Sequence, residues 1–174
     1  MLFIADRKGR DMKTLLIMRH AKSSNKDTDI TDHERPLNKR GKLAAPRMGR
    51  LLKEEGLKPD FILSSSAKRA RMTAEAVADQ CGYEGEIRVI TDLYDTGPGA
   101  FFRAFQSLPE EAQRVLVVGH NPGLEELLEA LTKQVKNLPT ASIVQVDLPI
   151  QSWREISETT QGELIYIWKP RELP

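Results

Sequence analysis

The sequence predicts an α/β layered fold with a mainly parallel sheet and an antiparallel hairpin at one edge. Three observations carry this. Apolar runs alternate with helical stretches through most of the 174 residues, the pattern of strands whose crossovers cover a parallel sheet. Runs such as residues 15–18 and 115–118 are apolar at every position, as strands covered on both faces must be. Near the end the alternation stops, and two β-rich segments, 153–157 and 164–168, flank a polar turn at 159–162.

The elements follow in order. The first strand takes residues 14–18 and stops at Arg19-His20. A polar loop rich in Asp, Ser and Asn occupies 21–38. Residues 41–53 read as a helix: Leu43, Met48, Leu51 and Leu52 recur at roughly helical spacing. Pro46 falls early in it, where proline is tolerated best, and Gly56 is its stop. A short strand spans 61–63. Ser66 reads as the N-cap of a helix running to residue 80, with Ala70, Ala74 and Val77 on one face. Cys81, just after it, reads as an inert small hydrophobe. A strand over 87–90, a helix over 101–108, a strand over 115–118 and a helix over 122–131 complete the alternation. Asn121 is a good N-cap for the last of these, and Pro122 fits its first position. Residues 143–148, 153–157 and 164–168 read as strands, with Trp153, Tyr166 and Trp168 as sheet packing.

The totals exclude several classes. The chain is long enough for one domain with a proper core, and 40% hydrophobic with 29% charged residues is ordinary globular composition. With 26 basic and 25 acidic side chains the net charge is +1, against the basic excess of nucleic-acid or membrane-surface proteins. One cysteine permits no internal disulfide, and a reducing cytoplasm is the expected home. No apolar run approaches a membrane span. A single domain over 12–174 is expected. Residues 1–11 are either a flexible N-terminal extension or untranslated, with synthesis starting at Met12.

Three segments share one grammar: an apolar strand, a turn bearing a basic or imidazole side chain, then a loop or helix. They end in Arg19-His20, in Ser64-Ser65-Ser66-Ala67-Lys68-Arg69, and in Gly119-His120-Asn121-Pro122-Gly123. Ligands in open α/β sheets bind beyond the carboxyl ends of the strands. Parallel neighbours would therefore bring two histidines and at least two arginines to one edge. His120 would sit beside a helix N-terminus, a ready anion site. A phosphoryl group suits this set: arginine forks match phosphate geometry, cationic donors stabilise its charge in the transition state, and a neutral imidazole can attack phosphorus. Surrounding arginines would depress the imidazole pKa and keep it neutral.

These residues resemble the histidine phosphatase superfamily, also called phosphoglycerate mutase-like. Arg19-His20-Ala21 is similar to its Arg-His-Gly signature, with Ala in place of Gly. The run from Arg19 to Ser24 and the later Asp32-x-x-Arg35-Pro36-Leu37-x-x-Arg40-Gly41 resemble the branch of SixA-type phosphohistidine phosphatases. The Ser64–Ala74 stretch and Gly119-His120-Asn121-Pro122-Gly123 look like the family's second arginine and second histidine segments. The four motifs occur in family order from Lys13 onward.

The resemblance implies a three-layer α/β/α sandwich. It implies His20 as nucleophile, with Arg19, Arg69 and His120 forming a phosphate pocket and Lys22 as a rim contact for substrate. It implies no metal or other cofactor. Many members carry an acid after the third strand; Asp95 is the choice here by its spacing from Leu93, with Asp92 the alternative. The implied activity is a phosphohydrolase acting through a covalent phosphohistidine on His20. Its partner would be a phosphorylated protein, such as a histidine-bearing phosphorelay domain, or a small phosphoester, with no nucleic acid and no membrane. The alternatives are a broad small-molecule phosphomonoesterase and an inactive phospho-binding module. Bland readings stand beside these. Lys68 and Arg71 rival Arg69 or form a solvated helix face, Arg35 and Arg40 read as structural or surface residues, and His33 as solvent-facing.

Overall fold

The structure, a computed structural model, describes residues 12–174; the N-terminal extension lies outside the described residues. Six strands form one sheet. In chain order β1 is Lys13–Arg19, β2 Phe61–Ser65, β3 Ile87–Ile90, β4 Arg114–Gly119, β5 Ile143–Leu148 and β6 Glu163–Trp168. The order across the sheet is β3-β2-β4-β1-β5-β6. The first four strands run parallel; β5 pairs antiparallel with β1, and β6 antiparallel with β5. Four helices cover the faces: α1 (Lys39–Glu54), α2 (Lys68–Cys81), α3 (Pro98–Gln106) and α4 (Gly123–Thr132).

The continuous apolar runs are explained by two cores. Alternate side chains of a strand point to opposite faces. Leu16 and Met18 join Leu116 and Val118 beneath α1 and α2, whereas Leu15 and Ile17 join Val115 and Val117 beneath α3 and α4. The expected three-layer sandwich follows. It also fixes the site, because β1, β2 and β4 lie side by side and their carboxyl ends coincide. The register sets Arg19 opposite Gly119 and Ser64 opposite Val118.

Several local expectations are corrected. The segment expected as a strand over 153–157 is a 3₁₀ turn at Trp153–Glu155. Trp153 is fully buried, its Nε1 donates to the Ala112 carbonyl at 2.7 Å, and its ring packs on Phe105. Tertiary packing of one large side chain overrides the β-rich composition. The antiparallel edge is therefore β5 with β6, joined by a longer connection, and not a tight hairpin around residues 159–162. α1 begins at Lys39 rather than at residue 41, with Asn38 as its cap accepting from the Gly41 amide, so Pro46 falls at mid-helix rather than early. Leu43, expected on the apolar face, is 68% exposed. Gly56 does stop α1, at φ +68°. Ser66 does not cap α2; Ala67 holds that position without a side-chain bond. Pro122, not Asn121, is the N-cap residue of α4.

Candidate active site

β1 delivers Arg19 to the carboxyl edge, and the chain leaves the strand at His20. The backbone there is pinned from both sides: the His20 amide donates to the Gly119 carbonyl at 3.0 Å, and the Ala141 amide lies 3.1 Å from the Arg19 and His20 carbonyls. The following residue is tied to α2, since the Ala21 amide donates to Thr73 Oγ1 at 3.0 Å and that hydroxyl donates to the Arg69 carbonyl at 2.7 Å. One helix thus fixes both the turn after His20 and the backbone of Arg69.

His20 is only 7% exposed and Arg69 6%. The imidazole Nδ1 lies 2.7 Å from the Ala21 carbonyl oxygen. A carbonyl only accepts, so Nδ1 carries the proton. Arg69 Nε then donates to His20 Nε2 at 3.3 Å, which requires a lone pair there. The ring is a neutral imidazole with its bare nitrogen turned toward a guanidinium. Burial pulls its pKa down to about 4; the Ala21 bond opposes this, and the charges of Arg69, Arg19 and Arg35 add to it. At neutral pH the group is an unprotonated nucleophile or base.

The His120 ring centroid is 5.0 Å from that of His20. Its Nε2 is 2.7 Å from Ser65 Oγ at the end of β2, and its Nδ1 is buried without a hydrogen-bond partner among the described residues. Burial lowers its pKa to about 3, assisted by His20 and Arg69. Arg19 Nη1 donates to the Leu138 carbonyl at 3.0 Å, and its Nε is also buried without a partner. The Asn121 amide reaches the same carbonyl and Glu125 Oε1, both at 2.9 Å, so Asn121 braces the loop and leaves capping to Pro122. Buried polar atoms without partners are rare; among the described residues three sit here, on Arg19 Nε, His120 Nδ1 and Asn121 Oδ1.

The structure brings together Arg19, His20, Arg69 and His120. Lys22 is exposed and lines a cavity that shares Arg19 with this group. Asp95 is exposed at φ +51° just after Tyr94, and Asp92 is exposed in the 3₁₀ turn Thr91–Leu93.

Sequence reading missed Asp32, Tyr94 and Ser65. Asp32 accepts from Arg69 twice, at its carbonyl (2.7 Å) and at Oδ2 (3.2 Å), and Tyr94 Oη donates to the same Oδ2 at 2.5 Å. The Tyr94 bond, with Arg35 and Arg69, holds the Asp32 carboxyl down at about 2. His33 is half-buried rather than solvent-facing, with Nε2 2.9 Å from Ser66 Oγ and its ring edge-on to Tyr94. Arg35 bonds Asp32, Ser23 and the Ser24 carbonyl, tying the 21–38 loop together. Of the rivals to Arg69, Arg71 donates to the Ser66 carbonyl and Lys68 is exposed. The signal for Asp32 lay in the Asp32-x-x-Arg35 spacing already quoted; nothing local marks Tyr94, which lies 62 residues from Asp32.

Fold and site define a class: a three-layer α/β sandwich that gathers two neutral imidazoles, the buried Arg69 and the half-buried Arg19 at the carboxyl ends of adjacent parallel strands. The profile of the histidine phosphatase superfamily (branch 1) matches residues 15–113. An uncharacterized chloroplastic protein of Arabidopsis thaliana is 30% identical over 152 residues, covering 82% of this chain and 70% of that protein. The chain superposes on a protein assigned as phosphohistidine phosphatase SixA of Agrobacterium tumefaciens with TM-score 0.78 and 26% identity, covering 91% of this chain and 98% of that one. It superposes equally well, at 24% identity, on the protein histidine phosphatase SixA complexed with tungstate, covering 92% and 99%. The chain belongs to the histidine phosphatase superfamily, branch 1, which places it among phosphatases.

Proposed function

We propose that this chain hydrolyses phosphohistidine on a protein through a covalent phosphoenzyme at His20. The observation that carries the reading is the buried imidazole with Nδ1–H bonded to the Ala21 carbonyl and an unprotonated Nε2 accepting from Arg69 Nε. In the first step the Nε2 lone pair attacks phosphorus, the substrate P–N bond breaks, and the departing imidazole takes a proton from solvent. In the second, water attacks phosphorus, the P–Nε2 bond breaks, inorganic phosphate leaves and a proton passes to solvent. Arg19, Arg69 and His120 hold the phosphoryl oxygens through both steps. The Ser65 hydroxyl accepts from the Ala67 amide at 3.3 Å. Donating its own hydrogen to His120 Nε2 leaves Nδ1–H as the donor for a phosphoryl oxygen.

The ionisation of Asp32 supports the choice of leaving group. Asp32, beside Arg69, is a carboxylate at neutral pH and supplies no proton. An imidazole leaves far more readily than an alkoxide, so a phosphoramidate needs less help. Asp95, just after Tyr94, is the acid in this reading for ester substrates. The lone buried Cys81 is compatible with a reducing cytoplasm.

The test is phosphate release from a phosphohistidine-carrying protein beside a panel of small phosphoesters. Wild type should release phosphate fastest from phosphohistidine, and His20→Ala should lose at least about 10³-fold in kcat/KM. Asp95→Asn should slow alkyl phosphates while leaving phosphohistidine hydrolysis within about 2-fold. Release mainly from esters would make the chain a general phosphomonoesterase. Retention of a phosphorylated partner without release would make it a binding module.

A further inference from the structure

Beside the His20 site lies a cavity of about 410 Å³ that the proposed reaction does not use. Arg19 is common to both, and Lys22 on its wall is two residues beyond the nucleophile. Arg40, from the first turn of α1, and Lys169 and Arg171, after β6, add three more cations. The one carboxylate among the lining residues is Glu172, which pairs with Lys169 at 3.2 Å. Five cations and one carboxylate leave a local charge of +4, against +1 for the whole chain. The cavity lining is therefore far more positive than the chain as a whole.

The segment that carries Lys169 and Arg171 is anchored. Arg47 of α1 donates to the Pro170 carbonyl at 3.1 Å and the Leu173 carbonyl at 2.7 Å. Trp168 and Leu173, on either side, pack on the core beneath α1 and α2. Like charges at close range repel and cost stability, so an anchored cluster of this size calls for an anion. The volume exceeds what one phosphate or carboxylate needs and falls within the range of small-ligand sites.

We infer that this cavity is a second anion-binding subsite, receiving a phosphate or carboxylate of the substrate that is distinct from the phosphoryl group transferred to His20. The inference rests on the proposed reaction for its link to catalysis. The anion has two possible sources: acidic side chains around a phosphohistidine, or the second phosphate of a small bisphosphate.

The experiment compares wild type, the double variant Lys169→Gln/Arg171→Gln and Glu172→Gln. Four substrates are used: a phosphohistidine peptide flanked by Asp and Glu, the same peptide flanked by Gln and Ser, a sugar bisphosphate, and p-nitrophenyl phosphate. Wild type should favour the acidic peptide over the neutral one, or the bisphosphate over p-nitrophenyl phosphate, by about 10-fold in KM at low salt, the gap narrowing as salt rises. The double variant should lose that gap with kcat retained and p-nitrophenyl phosphate unaffected. Glu172→Gln should widen it. Preference for the peptide assigns the subsite to a protein's acidic surface, and preference for the bisphosphate assigns it to a metabolite. No preference in wild type, or an equal loss on all four substrates in the double variant, overturns the inference. Should wild type turn over none of them, the proposed reaction fails. Calorimetric titration with the acidic peptide and the bisphosphate then decides the cavity: binding that the double variant weakens sustains it, and absent or unchanged binding overturns it.

Discussion

A single carbonyl decides what His20 can do. By accepting from Nδ1, the Ala21 oxygen settles the tautomer, and burial among arginines keeps the ring neutral. The next most consequential contact is the grip of Asp32 on Arg69. Two acceptors from one residue orient the guanidinium fork, and Tyr94 holds the carboxylate that does so. In the proposed reaction Asp32 meets the site through Arg69, and we assign it a positioning role. Asp32→Ala should lower kcat/KM by about 10-fold, mostly in kcat, because a misplaced donor weakens transition-state binding. Asp32→Asn, which keeps the shape and an acceptor oxygen, should recover part of that loss. Steady-state kinetics on one substrate separate the two; equal loss in both variants would mean that the charge, not the geometry, matters.

Elements meet this site through close backbone approaches. Gly41, in the first turn of α1, touches the chain just after His20: a Cβ there would lie 2.2 Å from the Lys22 carbonyl oxygen and 3.0 Å from the Lys22 nitrogen. Both neighbours are backbone, so neither can swing away. Gly41→Ala should push α1 from the 21–38 loop, cost roughly 1–3 kcal/mol of stability and displace the Ala21 carbonyl that sets the His20 tautomer. Denaturant melts and turnover should therefore fall together. Gly49→Ala is the control: its Cβ would meet the Val77 carbonyl at 2.7 Å, at the contact of α1 with α2. It should lower stability with a smaller effect on turnover.

For the molecule as a whole, burying two neutral imidazoles links folding to pH. His20 and His120 titrate near 4 and 3 when folded, whereas an unfolded histidine titrates near ~6.5. The unfolded chain thus binds more protons below pH ~6.5, and stability falls as pH drops through that window toward the folded values. Each group contributes a slope of at most about 1.4 kcal/mol per pH unit. Asp32 works lower still: its depressed carboxyl stabilises the fold above pH ~4, and this is lost as pH falls toward about 2. Urea titrations of wild type, His20→Asn and His120→Asn between pH 7 and 4.5 check the histidine contribution. Each variant should show a shallower decline, and parallel curves would disprove it.

The sequence by itself determined the layers and the chemical cast. Fully apolar runs such as Leu15 to Met18 need cover on both faces, a property of composition that holds wherever the strand lies. Arg19, His20, Arg69 and His120 each follow such a run, so their place at the carboxyl edge was legible once the strands were taken as parallel neighbours. Tertiary structure alone decided the contacts between distant segments. It placed Tyr94 and Asp32 on one another, recruited Ser65 to His120 and Ser66 to His33, set Lys22 on the wall of a basic cavity shared with Arg19, and made Trp153 a core side chain rather than part of a strand. The physical reason is range. Periodicity and capping report on bonds a few residues apart, whereas these choices depend on which polar group lies nearest in space once the sheet order β3-β2-β4-β1-β5-β6 is formed.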